Sequence, residues 1–407
     1  MDSLTQVVLG AAVGEAVLGK KIGNRAMLWG AFGGFLPDLD VTSSLVMDEI
    51  SALATHRGIT HSFFFAFLFP LLLGWLVHRL YASGLYQRKI YKVSAALVGV
   101  GAIMFTANYL PYLITDTFNL KLFLSTLGVS ALLLFLLHRF YLRVEQSAVN
   151  TTWSDWYWIF FWSIVTHPIL DSFTTYGTQL FLPFSDYRVA FNVISVADPI
   201  YTVPFLLFLI IAALMRMGTR RRAIFNWLGI IVSSLYMLFC FNHKLKVNKI
   251  FEKAYADNNI EYARYMTSPL IFNNVLWLGL AETDSNYVHG YYSFYDEDEV
   301  VDDFNIFEKN YHLISDYQDD PTLKTLKWFS NDYYTLARRP DGDLQYNDVR
   351  FGVFGNKLRD NSNYVFKFIL KEKDGSLDMH QSKEGREIND DTIKELWDRM
   401  MGREDAS

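Results

Sequence analysis

Residues 62–81 read SFFFAFLFPLLLGWLVHRLY, an almost unbroken apolar run of the roughly 20 residues that a helix needs to cross a bilayer core. A run apolar on every side is not the one-faced pattern of a soluble surface helix. Similar stretches lie on both sides of it, at 93–115, 120–142, 156–176, 196–217 and 224–241. The stretch at 156–176 opens on Trp153, Trp156, Tyr157 and Trp158, an aromatic group of the kind that collects at the membrane–water boundary. Two shorter segments, 4–18 and the Gly-rich 26–36, are expected inside the bundle, where small residues let helices approach closely. Asp2 stands where a cleaved signal would carry basic residues, so a chain that stays in the membrane is expected.

Beyond residue 243 the character changes. Over the whole chain of 407 residues, 51% are hydrophobic and 20% charged, and this average mixes an apolar first part with a polar, acidic second part. The expected architecture is mainly α: a multi-helix transmembrane bundle followed by a small α+β soluble C-terminal domain. Its expected divisions are 1–243 for the membrane part, 244–265 for a basic helical linker and 266–407 for the soluble tail. The single cysteine, Cys240, excludes a disulfide framework and Cys-rich zinc or iron–sulfur sites. A net charge of −6 gives no basic signature for nucleic acid.

Positive charge orients the bundle. The turns on one side hold Lys20, Lys21, Arg25, Arg79, Arg88, Lys89, Lys92, Arg139, Arg143, Arg216, Arg220, Arg221 and Arg222, against Arg57, Lys121 and Arg188 on the other. The basic side is read as cytoplasmic, which puts the tail on the opposite face.

Ionisable groups at membrane depth are costly and are functional candidates by default. Here they gather in four places: Asp38 and Asp40 in LPDLD (36–40), His56 and His61 in THRGITHS (55–62), His167 and Asp171 in THPILDSFTTYGT (166–178), and Asp198 at the start of the fifth long stretch. Under the charge-based topology all seven fall on or toward the non-cytoplasmic face. Imidazole with carboxylate is a ligand set for zinc and similar ions. His167 and Asp171, four apart, share one helix face, and Pro168 between them kinks a helix. Asp38 and Asp40 need an extended or turn backbone to converge, and Gly58 lets the His56–His61 loop turn. Seven ligands exceed one tetrahedral site, so one to three divalent ions are expected, zinc or alternatively manganese. Asp38, His61 and Asp171 are the expected catalytic groups, and Asp198 is equally a plain helix N-cap. Arg57 and Arg188 are candidates for holding an anionic substrate group.

At these motifs the chain resembles the bacterial inner-membrane metal-dependent hydrolase family of the YdjM/YbcI type. The matching pieces are MDSLTQVVLGAAVGE at 1–15, PDLD at 37–40, HRGITHS at 56–62, HPILDSFTTYGTQLFLPFS at 167–185, Asp198, and SPLIFNNVLWLGLAETDSNYVHGYYSF at 268–294. The resemblance implies a helical membrane-embedded hydrolase, with a fold related to zinc-dependent phospholipase C and P1-type nucleases. Gln6 departs from it, standing where many members have His.

In the tail, FNNVLWLGLAET and YVHGYYSFYD alternate around DSN, a hairpin signature. Further strands or short helices are expected at 322–336, 349–353 and 364–370, around the turn RRPDGD, and an amphipathic helix at 392–401. The acidic stretch 284–320 reads as a solvated loop. No P-loop, nucleophile elbow or Rossmann motif is present, so the tail is expected to cap the membrane site or bind a partner that the sequence does not identify. Three functions fit: a hydrolase acting with metal-activated water on a phosphoester or lipid-linked substrate, a transporter or metal-handling protein, and a scaffold stapled by a structural metal.

Overall fold

The structure is a computed structural model that describes residues 1–115, 117–143, 148–353, 364–373, 375–382, 384 and 390–403. Its first part is helical: α1 (Ser3–Ile22), α2 (Asn24–Phe35), a 3₁₀ segment (Leu36–Leu45), α3 (Glu49–Thr55), a short 3₁₀ turn (Ile59–His61), α4 (Phe63–Ala82), α5 (Lys89–Thr115), α6 (Leu120–Leu137), α7 (Trp153–Asp171), α8 (Pro199–Leu214) and α9 (Arg220–Asp257). Two four-stranded antiparallel sheets follow. One runs β1 (Arg264–Pro269), β2 (Leu276–Glu282), β3 (Asn286–Ser293), β4 (Phe304–Glu308) in order. The other is β5 (Tyr334–Arg338), β6 (Leu344–Val353), β7 (Tyr364–Lys373), β8 (Ser376–Gln381), with α10 (Pro321–Phe329) before it and α11 (Asp390–Met400) after it. The helical bundle followed by a small α+β part agrees with the sequence reading, including the β2–β3 hairpin.

Among the described residues, four helices are long and apolar enough to cross a membrane: α4, α5, α6 and α9. α8, at 16 residues, is a shorter apolar helix. α7 has 19 residues but is not among the four, because its ends carry Asp155 and Asp171 and its first turns are tryptophan-rich. α9 runs unbroken for 38 residues, straight past position 243.

Compactness divides the chain into Met1–Phe69 with Ile159–Ser407, and Pro70–Trp158. Within the second unit α5 and α6 form a helical hairpin, joined by a hydrogen bond from Asn108 Nδ2 to Thr126 Oγ1 of 2.8 Å. In the first unit the helices and the second sheet belong together because partly buried residues of α3 and of the loop after α7 pack against that sheet's core. Ile50 and Leu53 of α3, and Tyr176, pack on the core of Leu323, Leu326, Phe329 and Phe368. Glu49 accepts from His380 Nδ1 (2.7 Å) and from the backbone N–H of Gln381 (2.7 Å).

The α1–α2 hairpin sets the site's frame. A Cβ on Gly30 would lie 2.2 Å from the Gly10 carbonyl oxygen and 2.7 Å from the Gly14 Cα, and one on Gly33 would lie 2.4 Å from Ser163 Oγ of α7. The glycines therefore let α2 touch both α1 and α7 by backbone, the small-residue packing used between membrane helices. Further along, Glu15 of α1 and Arg222 of α9 form a buried two-pronged pair, Nε–Oε1 2.6 Å and Nη2–Oε2 2.5 Å. That pair accounts for Glu15, which lies outside the cluster of ionisable groups.

Gly30→Ala is expected to destabilise the purified protein by about 1–3 kcal/mol through overpacking. Thermal unfolding in detergent measures this, with Gly99→Ala, which meets nothing within 4 Å, as the silent control.

Candidate metal centre

Four chain segments meet at the start of α1. The end of α2 delivers the Gly34 carbonyl and then the 3₁₀ segment with Asp38 and Asp40. The 3₁₀ turn before α4 delivers His61, and the last turn of α7 delivers His167 and Asp171. His61, His167 and Asp171 are fully buried.

The hydrogen bonds of the two imidazoles fix where their lone pairs point. His167 Nδ1 is 2.5 Å from the Gly34 carbonyl oxygen. A carbonyl only accepts, so this nitrogen carries the hydrogen and Nε2 is left bare. His61 Nδ1 lies 3.2 Å from Thr60 Oγ1, whose own hydrogen goes to Asp40 Oδ2 (3.2 Å), and 3.2 Å from Asp40 Oδ2 itself, so this Nδ1 likewise carries the hydrogen. The two Nε2 atoms then face each other at 3.0 Å. Two bare lone pairs at that distance repel, so a proton or a cation has to lie between them.

The surrounding oxygens favour a cation. Asp38 Oδ1 is 3.4 Å from His167 Nε2 and 3.7 Å from His61 Nε2, and Asp171 Oδ2 is 3.6 Å and 3.5 Å from the same two atoms. Ligands held at about 2.0–2.1 Å around a tetrahedral zinc stand about 3.3 Å apart, close to these separations. Asp38, His61 and His167 form a group whose ligand atoms all lie within 4.8 Å of one another. Asp171 stands beside the group, near both imidazoles, and its Oδ2 lacks a hydrogen bond. Among the described residues this is one group, not two.

The remaining predicted residues surround it. Asp40 sits behind His61, not with Asp38. Both its oxygens are spent: Oδ1 on His56 Nδ1 (2.9 Å), and Oδ2 on the Arg57 N–H (2.8 Å), Thr60 Oγ1 (3.2 Å) and His61. His56 faces Asp40 and the Tyr176 ring, 5.2 Å between centroids, and not the group. Asp198 caps α8, the alternative role expected from sequence, accepting from the N–H groups of Ile200 and Tyr201 and from Tyr236 Oη (2.9 Å). Arg57 holds Asp171, Nε to Oδ2 3.1 Å, and donates to Thr174 Oγ1 at 2.9 Å. Arg188 lies in the loop after α7, on Tyr176. Burial pushes the carboxyls of Asp38 and Asp40 up, but the histidines outweigh it: His167 and His61 at Asp38, His56 and His61 at Asp40, so both are held below the usual carboxylate range.

Sequence reasoning missed several partners. The α-amino group of Met1 contacts Asp171 Oδ1. Gln6 Nε2 donates to the same oxygen at 2.8 Å, so the residue that replaces a family His positions Asp171. Ser3 Oγ donates to Asp38 Oδ2 at 2.8 Å. The opening MDSLTQ motif carried that signal, whereas the Gly34 carbonyl had none to give.

A family model described as YdjM inner membrane protein matches residues 1–121 and 122–247. No curated protein and no solved structure matches the chain.

His61→Ala and His167→Ala are each expected to abolish stoichiometric metal in detergent-purified protein, read by mass spectrometry. Asp40→Asn, which reaches the group only through the far nitrogen of His61, should retain metal but bind it about 10–100-fold more weakly, measured by chelator competition.

Proposed function

Because the chain belongs to the YdjM inner membrane protein family, we propose that it is a membrane-bound, metal-dependent hydrolase acting on a phosphoester or lipid-linked substrate. The facing Nε2 atoms of His61 and His167, 3.0 Å apart with both Nδ1 atoms already engaged, carry this reading. Asp38, His61 and His167 would hold the ion, with Asp171 at their side. A divalent ion such as zinc supplies there a Lewis acid and a water acidified toward neutral pH.

The chain's own residues do the rest. Asp40 and the Gly34 carbonyl keep both imidazoles in the tautomer that presents Nε2, the usual role of groups behind metal-binding histidines. Arg57 and Gln6 orient Asp171: Gln6 donates to Oδ1, and Oδ2, ion-paired with Arg57 Nε at 3.1 Å, faces both imidazoles of the group. That oxygen is placed to take the proton of the attacking water as the ester P–O bond breaks. Burial of His61, His167 and Asp171 keeps bulk water away and strengthens each of these interactions. The split of positive charge between alternate turns supports a site opening on the non-cytoplasmic face, where a lipid-linked substrate would meet it.

The test is hydrolysis of bis(4-nitrophenyl) phosphate by detergent-purified protein. Asp38→Asn and chelator treatment should each bring turnover to background, and added zinc or manganese should restore the chelated wild type alone. Turnover that survives both treatments would sink the mechanism.

A further inference from the structure

Arg188 makes no ion pair among the described residues: the carboxylate that acts on it, Asp348, is bound by Arg350. Its Nη2 donates to the carbonyls of Tyr176 (3.2 Å) and Gly177 (3.1 Å), while its Nε and Nη1 are buried with no hydrogen-bond partner. The group is nevertheless carefully seated. Its Cζ stands 5.1 Å from the Tyr176 ring centre, 5.0 Å from Trp328 and 5.2 Å from Phe329. Gly177, at φ +85°, makes room: a Cβ there would come within 3.1 Å of the Arg188 Cβ and 3.3 Å of its Nε. Trp328 is itself tied to the same loop, donating from Nε1 to the Asp186 carbonyl at 3.2 Å.

The neighbouring arginines each have a carboxylate of their own. Arg57, on the same Tyr176 ring at 4.8 Å, is paired with Asp171. Arg350, on the same Phe329 ring at 5.4 Å, is fully engaged with Asp348 through Nε (2.9 Å to Oδ1) and Nη2 (2.6 Å to Oδ2). Burial pulls the Arg188 guanidinium down to about 10, which leaves it charged at neutral pH. A buried charge whose one facing carboxylate is already bound by a second arginine is poorly compensated, and a guanidinium with free donors is suited to phosphate.

We propose that Arg188, caged by Tyr176, Trp328 and Phe329, is a binding site for a phosphate group, so that the C-terminal part of the chain supplies half of the wall that holds the substrate's anion. The Tyr176 ring links this cage to Arg57 and His56, which puts the anion next to the metal centre. The assignment to substrate rests on the hydrolase reading. The site itself does not, and it is measured with metal removed.

The experiment follows the melting temperature of the full chain in detergent, chelator-treated and on the His61→Ala background, at constant ionic strength. The probes are inorganic phosphate and, separately, mixed micelles containing phosphatidic acid, with phosphatidylcholine micelles as the blank. One or both phosphate probes should raise the melting temperature in a saturable way. The one that does so identifies a free phosphate or a lipid headgroup as the source. Arg188→Gln should weaken that binding by at least about tenfold, the loss of a charge-assisted hydrogen bond. Trp328→Ala should weaken it less. Equal shifts in His61→Ala and the Arg188→Gln double variant, or no shift with either probe, would overturn the proposal. In either case chelator-sensitive hydrolysis by the wild type would remain to be judged on its own.

Discussion

Everything at the centre depends on the close approach of two imidazole nitrogens. His61 and His167 come from segments more than a hundred positions apart, yet their Nε2 atoms meet at 3.0 Å. Each ring is held from behind, one by a carboxylate and one by a main-chain carbonyl. The second constraint is the stricter one, because a carbonyl cannot change its protonation to suit its neighbour. It exists only because α2 ends against α7, and α2 reaches α7 only because Gly33 lets Ser163 in. A glycine with no chemistry of its own therefore fixes the protonated nitrogen of a histidine on another helix.

Much of the fold could be read from the sequence, since hydrophobic length and strand alternation are local properties. The helices of the bundle, the β2–β3 hairpin and the helical run after residue 243 all follow from patterns within some twenty residues. The division into compact units did not follow, because α3 and Tyr176 look like membrane-edge loop residues and their burial into the second sheet is a long-range contact. The amphipathic character of α3 is too brief to announce a partner 270 residues away.

Of the seven ligands expected from sequence, Asp38, His61 and His167 form the group. His167 and Asp171, four apart on α7, do share a face. Asp38 and Asp40 were expected to converge, but on a 3₁₀ turn successive residues step by about a third of a revolution, and the two carboxylates end on opposite sides of His61. Asp198, at the first position before α8, took the ordinary capping role. What sequence could not supply was the main-chain partner, the Gly34 carbonyl; Gln6 and Ser3 were signalled only by the opening MDSLTQ motif.

The unbroken length of α9 has a mechanical meaning. At about 1.5 Å per residue its 38 residues extend about 57 Å, against a hydrocarbon core of about 30 Å. Its apolar stretch ends near Phe241, and the following Lys244 donates to Thr267 while His243 Nδ1 contacts the Asn274 carbonyl. Val247, Phe251 and Tyr255 continue into the core with Trp277 and Val288, and Phe251 fills the space left by Gly279. The first sheet is thus bolted to a rigid mast at the level where that mast leaves the lipid. The distance of that sheet from the apolar stretch of α9 is therefore set by helical rise and not by a slack tether.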